Sequence, residues 1–182
     1  FFKFIKNNYA NWFYDKDAPI LSHHLFKQVI LPEIDKNEKS LVVLVDNLRY
    51  DQYVMIEKNI ANYYKKQEET PFYSILPTAT HYARNAIFSG LMPLEMATKH
   101  KDIWLNENDE GGKNMQEEEF LKRQLKSLNK DYTFSYHKIT NSKAGKELVH
   151  NYNQYINNKF NVVVFNFVDM LSHAKTDTKV IK

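Results

Sequence analysis

Three short polar segments follow apolar stretches of the chain, and each carries side chains that can do chemistry. Asp46 comes directly after SLVVLV, Thr80 follows a proline in ILPTATHYARN, and Asp169 follows FNVVVFNFV. A carboxylate at the end of a buried strand needs a partner that offsets its desolvation, such as a metal ion. Read alone, Asp46 is explained equally well as a residue that caps the following turn.

The segment VDMLSHA places Asp169 and His173 four residues apart. On a helical turn this spacing puts both side chains on one face. A carboxylate and an imidazole so placed can share one divalent ion, for which zinc is the natural candidate. Many pairs with this spacing are caps or surface contacts instead, so both interpretations stay open on the residues alone.

Thr80 stands where a helix is expected to begin, and backbone N–H groups at that position favour an anion. A threonine hydroxyl attacks phosphorus only when its proton is removed, which metal coordination can do. The alternative role for Thr80 is an ordinary N-cap, and Thr78 is the rival nucleophile. Arg84 and Asn85 follow one turn later, where they either meet an anionic substrate or face solvent.

Composition limits the class of protein. The chain has 182 residues, 43% of them hydrophobic, which predicts a single core. A net charge of +3 permits an anionic substrate without requiring one. The lack of cysteine excludes disulfides and thiolate metal sites. No apolar run reaches membrane-spanning length and no signal peptide is recognisable, so a cytoplasmic protein is expected. The absent initiator Met and the abrupt end predict a fragment of a longer polypeptide.

The elements that must position these residues alternate between helix and strand. This order predicts an α/β fold with a mostly parallel sheet flanked by helices, in which ligands bind at the carboxyl ends of the strands. The apolar runs predict strands buried on both faces. Leu25, Val29 and Ile30 are expected to face inward, and the two histidines His23 and His24 to lie at the surface. Strands are predicted at 41–45, 72–76, 132–139 and 161–168, helices at 2–13, 22–34, 51–66, 81–89, 115–128 and 143–158, and a long loop at 96–113.

The wording of VDNLRYDQY, ILPTATHYARNAIFSGLMP and NFVDMLSHA resembles the PglZ domain of the alkaline phosphatase superfamily, in the form found in PorX-like two-component response regulators. The resemblance implies an alkaline-phosphatase-like fold that is incomplete here. It divides the chain into helical linker segments at 1–36 and the N-terminal part of the PglZ domain at 37–182. It also implies an N-terminal receiver domain and a homodimer in the parent protein.

The resemblance implies a zinc-dependent phosphodiesterase with two metal ions. Asp46 would ligate one zinc, Thr80 would be both its ligand and the nucleophile, and Asp169 and His173 would ligate the second. Oligonucleotides, including cyclic ones, are the implied substrates, and control of type IX secretion is the implied output. The superfamily's remaining Asp and His ligands would follow Lys182, so this chain alone is expected to bind metal poorly and to be largely inactive.

The alternative function is a non-catalytic signalling module that binds a sigma factor or a component of the secretion system. In that hypothesis the strand-end residues form a structural or regulatory ligand site. The loop around Trp104 and the aromatic N-terminal helix are then the expected contact surfaces.

Overall fold

A computed structural model describes residues 1–106, 109, 112, 115–166, 168 and 169. The chain forms two compact units, each assembled from two separate stretches, where composition alone predicts one core. The helical unit comprises Phe1–Pro32 and Thr70–Lys130, and the sheet unit comprises Glu33–Glu69 and Asp131–Lys182. The predicted boundary between residues 36 and 37 stays a prediction.

The elements alternate as the sequence predicts, although several end early. In chain order they are α1 (Phe2–Asn8), a 3-10 turn (Asn11–Phe13), α2 (Ser22–Leu25), a π-helical segment (Phe26–Ile30), α3 (Leu31–Lys36), β1 (Ser40–Val45), α4 (Tyr50–Ile60), α5 (Thr80–Ser89), α6 (Pro93–Lys99), α7 (Glu117–Ser127), β2 (Phe134–Ile139), α8 (Ser142–Asn151), a 3-10 turn (Tyr152–Gln154) and β3 (Phe160–Phe165). No helix in these described ranges is long and apolar enough to cross a membrane.

Helix α5 lies at the centre of the helical unit, where it packs against α2 and α7. It is buried from Arg84 to Ser89, and His81 is buried as well. Phe88 of α5 and Phe120 of α7 are among its fully buried side chains. Gly90 ends the helix at a φ of 67°, a left-handed conformation that glycine adopts without the penalty of a Cβ atom. The predicted end of this helix is confirmed.

The sheet unit contains three parallel strands in the order β1-β3-β2. Ser40 of β1 and Phe134 of β2 both pair with Phe160 of β3, so the three strands start and end at the same level. Helix α8 connects β2 to β3, as a parallel connection requires. The predicted α/β fold with a parallel sheet flanked by helices is confirmed.

The strands differ in burial. The central strand β3 is buried from Phe160 to Val164, as its apolar run predicts. The prediction is wrong for β1, where Leu41 and Val43 stay 49% and 50% exposed. β1 pairs with a neighbour on one side only in the described sheet, so it is an edge strand, and its side chains have fewer neighbouring side chains to cover them than those of β3.

Two further predictions fail in the helical unit, one because of a tertiary contact and one because of a local helix start. The segment at 72–76 is not a strand of the sheet, since only Tyr73 pairs, in one bridge with Leu21. The predicted loop at 96–113 begins with the end of α6, because Pro93 starts that helix and the Glu95 side chain accepts a hydrogen bond from the Met92 N–H at 3.1 Å.

The helix predicted at 22–34 exists, but its inward face is different from the predicted one. Phe26, Leu31 and Ile34 are buried, whereas the predicted inward residues Leu25, Val29 and Ile30 are only half-buried. The π-helical segment adds residues to the turn and rotates the face that meets the core.

Candidate functional site

Asp46 is the first residue after β1. Its backbone N–H donates to the carbonyl oxygen of Phe165 at 3.0 Å, which ties it to the end of β3. Asn47 then adopts a φ of 57°, a left-handed conformation that asparagine tolerates better than most residues, so the chain turns away at once. The half-buried Asp46 side chain is therefore held at the carboxyl edge of the sheet.

Asp169 follows the end of β3 by four residues. The Asn166 N–H donates to the carbonyl oxygen of Ile139 at 2.9 Å, and Val168 and Asp169 are helical. Since β1 and β3 are adjacent and parallel, Asp46 and Asp169 leave the same edge of the sheet from neighbouring strands. His173 lies outside the described residues.

Arg49 and Asp51 form an exposed ion pair in the turn after Asp46. Arg49 Nε donates to Asp51 Oδ1 at 2.9 Å and Arg49 Nη2 to Asp51 Oδ2 at 2.7 Å. This contact lowers the pKa of the Asp51 carboxyl and raises that of the Arg49 guanidinium. Asp51 thus has a defined partner at the surface.

Thr80 belongs to the helical unit and is the first residue of α5. The N-cap is Ala79, whose carbonyl oxygen accepts hydrogen bonds from the N–H groups of Tyr82 and Ala83 at 2.9 and 3.0 Å. The interpretation of Thr80 as the N-cap is therefore wrong by one position, because the helix begins one residue earlier than the cap role requires. Its half-buried hydroxyl lies in the first turn, where the orphan N–H groups of a helix are found.

Arg84 and Asn85 are buried inside the helical unit. The Arg84 guanidinium donates two hydrogen bonds to the carboxylate of Glu117, from Nε to Oε1 at 2.5 Å and from Nη2 to Oε2 at 2.9 Å. The side chains are 4% and 0% exposed, so this is an interior ion pair. Substrate binding by Arg84 and Asn85 stays a prediction, and their burial argues against it.

Glu117 is the partner that the sequence pattern did not identify. It opens an acidic run, EEE, that is typical of a solvated helix face. A signal was nevertheless present, since Glu117 precedes the buried residues Phe120 and Leu121 of α7 by three and four positions. That spacing puts Glu117 on the apolar face, where a carboxylate requires a cation.

His23 and His24 are half-buried, and the prediction that they are surface residues is wrong. Their ring centroids lie 3.8 Å apart, and the Phe13 ring stacks on His23. Burial, reinforced by the positive charge of His24, lowers the pKa of His23 to about 4. Burial and the charge of Lys27 lower the pKa of His24 in the same direction. These histidines are thus neutral packing residues at pH 7.

The donor set at the sheet edge fits part of a divalent metal site. Carboxylate oxygens from neighbouring strand ends are suitable ligands for zinc, which usually takes four. Within the described ranges, no three His, Asp or Glu side chains lie close enough together to hold an ion. Asp46 and Asp169 therefore supply suitable atoms at a suitable place, and further ligands are needed to complete a centre.

Comparison with known families gives one match. A family model described as the BREX system PglZ alkaline phosphatase-like domain matches residues 25–182. No curated protein matches the chain. The matched range includes the segments of Asp46, Thr80 and Asp169, which the sequence singles out as chemically competent.

Proposed function

The chain belongs to the PglZ family of alkaline phosphatase-like domains, which indicates a phosphoesterase-type function, and from this premise we propose a zinc-dependent phosphodiesterase. The observation that supports it most is the arrangement of Asp46 and Asp169. They follow adjacent parallel strands and leave the same edge of the sheet, where α/β proteins bind their ligands.

In this proposal Asp46 and Thr80 hold one zinc ion, and Asp169 and His173 hold the second. Zinc held by these residues would supply Lewis-acid stabilisation of the negative charge that develops on the phosphoryl group. The Thr80 hydroxyl would supply the nucleophile: its oxygen bonds to phosphorus as the bond to the ester oxygen breaks, its proton goes to the departing ester oxygen, and water then hydrolyses the phosphothreonine ester. Its place in the first turn of α5 favours this role, because the positive end of the helix dipole lowers the cost of bringing in an anion.

We further propose that the substrates are linear or cyclic oligonucleotides and that the chain acts in a PorX-like response regulator. In that setting a receiver domain would control a homodimer, and the output would reach a sigma factor or the type IX secretion machinery. The exposed rings of Phe1, which precedes α1, and of Phe2, its first residue, support a protein contact there. Trp104 is buried, so the predicted contact surface around it is not supported.

The nucleophile is tested with Thr80→Ala in the response regulator that this proposal implies, supplied with zinc. We expect kcat/KM for bis(p-nitrophenyl) phosphate to fall by about 10³-fold or more, as for loss of other enzymatic nucleophiles. Thr78→Ala is the matched control, since Thr78 is exposed and two residues away, and it should change the rate by no more than a few fold. Hydrolysis that survives Thr80→Ala and stops in Thr78→Ala would reassign the nucleophile. Hydrolysis that survives a zinc chelator would exclude the metal mechanism.

A further inference from the structure

A groove in the sheet unit runs beside α8, at the same end of the sheet as Asp46. We call it the α8 groove; its cavity has a volume of about 650 Å³. That volume is in the range of small-molecule binding sites. The side chains that matter for its chemistry are Ile139 and Phe165 from the strands and Gly145, Lys146, Val149 and His150 from α8.

The floor of the α8 groove is apolar. Ile139 of β2 and Phe165 of β3 are paired in register, so their side chains leave the same face of the sheet. Gly145 faces Ile139 without a side chain, and a Cβ atom there would lie 3.6 Å from Ile139 Cγ2. That distance is an ordinary van der Waals contact, so α8 packs closely on Ile139 at this position.

The wall of the α8 groove combines positive charge with apolar surface. Lys146, Val149 and His150 are spaced i, i+3 and i+4, so they share one face of the helix. Neither Lys146 nor His150 pairs with a carboxylate anywhere in the described part of the chain. The neighbouring Lys143, by contrast, lies 3.8 Å from Glu147. The wall therefore presents the Lys146 cation and the His150 imidazole beside Val149, which is 77% exposed.

We propose that the α8 groove binds a small aromatic anion. Its ring lies on Ile139 and Phe165 and against Val149, and its acidic group meets Lys146 and His150. An inorganic anion would leave the apolar floor exposed to water, and a neutral ring would leave the charged wall without a partner. This site requires neither Thr80 nor a metal ion, so it is additional to the proposed phosphodiesterase centre.

The Phe165 backbone connects the groove with the sheet edge. Its carbonyl oxygen accepts the Asp46 N–H, while its side chain lines the groove. A ligand in the groove therefore lies within the same unit and at the same strand end as Asp46. Binding there can be followed without any catalytic readout, because the backbone amides of the lining residues report on it directly.

The test is a titration of the ¹⁵N-labelled 182-residue chain with naphthalene-1-sulfonate in the presence of EDTA, followed by NMR. We expect the amide signals of Gly145 and Phe165 to shift together in a saturable way. Lys146→Met should weaken the binding by about tenfold, because it removes a charge-assisted contact and keeps the apolar stem. Lys143→Met is the matched control, since it removes the same charge outside the groove, and it should leave the affinity unchanged.

Two ligand controls distinguish the contribution of the aromatic ring to the affinity from that of the negative charge. Methanesulfonate and 1-naphthalenemethanol should each bind several-fold more weakly than naphthalene-1-sulfonate. Equal effects of Lys146→Met and Lys143→Met, equal binding of methanesulfonate, or shifts confined to other parts of the chain would each overturn the proposal. The experiment contains no metal and measures no hydrolysis, so its failure leaves the phosphodiesterase proposal standing, and failure of that proposal leaves this one standing.

Discussion

Each unit contains an arginine that donates two hydrogen bonds to a carboxylate. The two ion pairs differ mainly in how exposed they are to water. Arg84 and Glu117 in the helical unit have side chains that are 4% and 0% exposed. Arg49 and Asp51 in the sheet unit are both 66% exposed. The geometry of the two contacts is nearly the same, so a comparison of the two pairs isolates the effect of burial on their contribution to stability. The ion pair of the helical unit is buried in its core, whereas the matching ion pair of the sheet unit is exposed to water.

The same contrast extends to apolar side chains. Trp12 and Trp104, the two tryptophans of the chain, are both buried in the helical unit. The sheet unit has a buried central strand but leaves Leu41, Val43 and Val149 largely or partly open. We infer that the packing of the helical unit holds α5, and with it Thr80, in place, whereas the sheet unit leaves strand ends and a groove accessible.

The largest effect is expected from removing the cation of the buried pair. Arg84→Met leaves the Glu117 carboxylate buried without its partner, which should lower the free energy of unfolding by about 3–5 kcal/mol. Arg49→Met removes the matching contact at the surface, where water replaces it, and should have little effect. Urea denaturation followed by tryptophan fluorescence measures the first variant, because both tryptophans lie in the helical unit. Circular dichroism, which also reports the sheet unit, measures the second.

The double variant Arg84→Met/Glu117→Met distinguishes loss of charge balance from loss of packing. It replaces both partners by apolar side chains, so it should recover a large part of the stability lost in Arg84→Met alone. Equal destabilisation by Arg84→Met and Arg49→Met would remove the distinction between the two units. A double variant that is less stable than Arg84→Met would show that the pair contributes mainly through its packing.

A smaller effect is expected within the sheet itself. Val163 and Val43 are direct partners in neighbouring strands, yet Val163 is 6% exposed and Val43 is 50% exposed. Val163→Ala should destabilise the protein by about 2 kcal/mol, because it loses buried apolar area and leaves a cavity. Val43→Ala should cost about 0.5 kcal/mol, since half of its surface is already in water. Urea denaturation followed by circular dichroism compares them, and equal losses would mean that β1 is covered in solution.

Local patterns predicted the parts of the fold that depend on neighbours in the chain. The apolar run of β3, the helix ended by Gly90 and the charged helix α7 all follow from residues a few positions apart. Two of the errors arise where a distant segment determines the structure. Tyr73 pairs with Leu21, and the buried Arg84 forms its ion pair with Glu117, 33 positions later. The periodicity of residues 72–76 does not contain that information, and for Arg84 the available signal lies in α7, in the spacing of Glu117 from Phe120 and Leu121.

The candidate site divides in the same way. Asp46 and Asp169 could be placed at one edge from the sequence, because each ends an apolar run and parallel strands end together. Arg84 could not be placed, because its position one turn into α5 fits an anion site and a core ion pair equally well. Lys146 and His150 were not recognised, since their partner surface is formed by side chains of β2 and β3.

The smallest effect is a pH dependence confined to the helical unit. His23 titrates at about 4 in the folded protein and near its ordinary value of 6.5 when unfolded. Between these values the unfolded chain binds a proton that the folded chain does not, so stability is complete above pH 6.5 and falls as the pH is lowered towards 4. Because His23 is only partly shielded from water, and His24 and Glu95 also act on it, we expect a loss of about 1–2 kcal/mol in the free energy of unfolding.

His23→Gln should flatten this pH dependence of stability in urea denaturations followed by tryptophan fluorescence between pH 7.5 and 4.5. His150→Gln is the matched control in the sheet unit, where the imidazole is exposed. A slope that persists in His23→Gln and disappears in His150→Gln would place the acid sensitivity in the sheet unit and reverse the comparison.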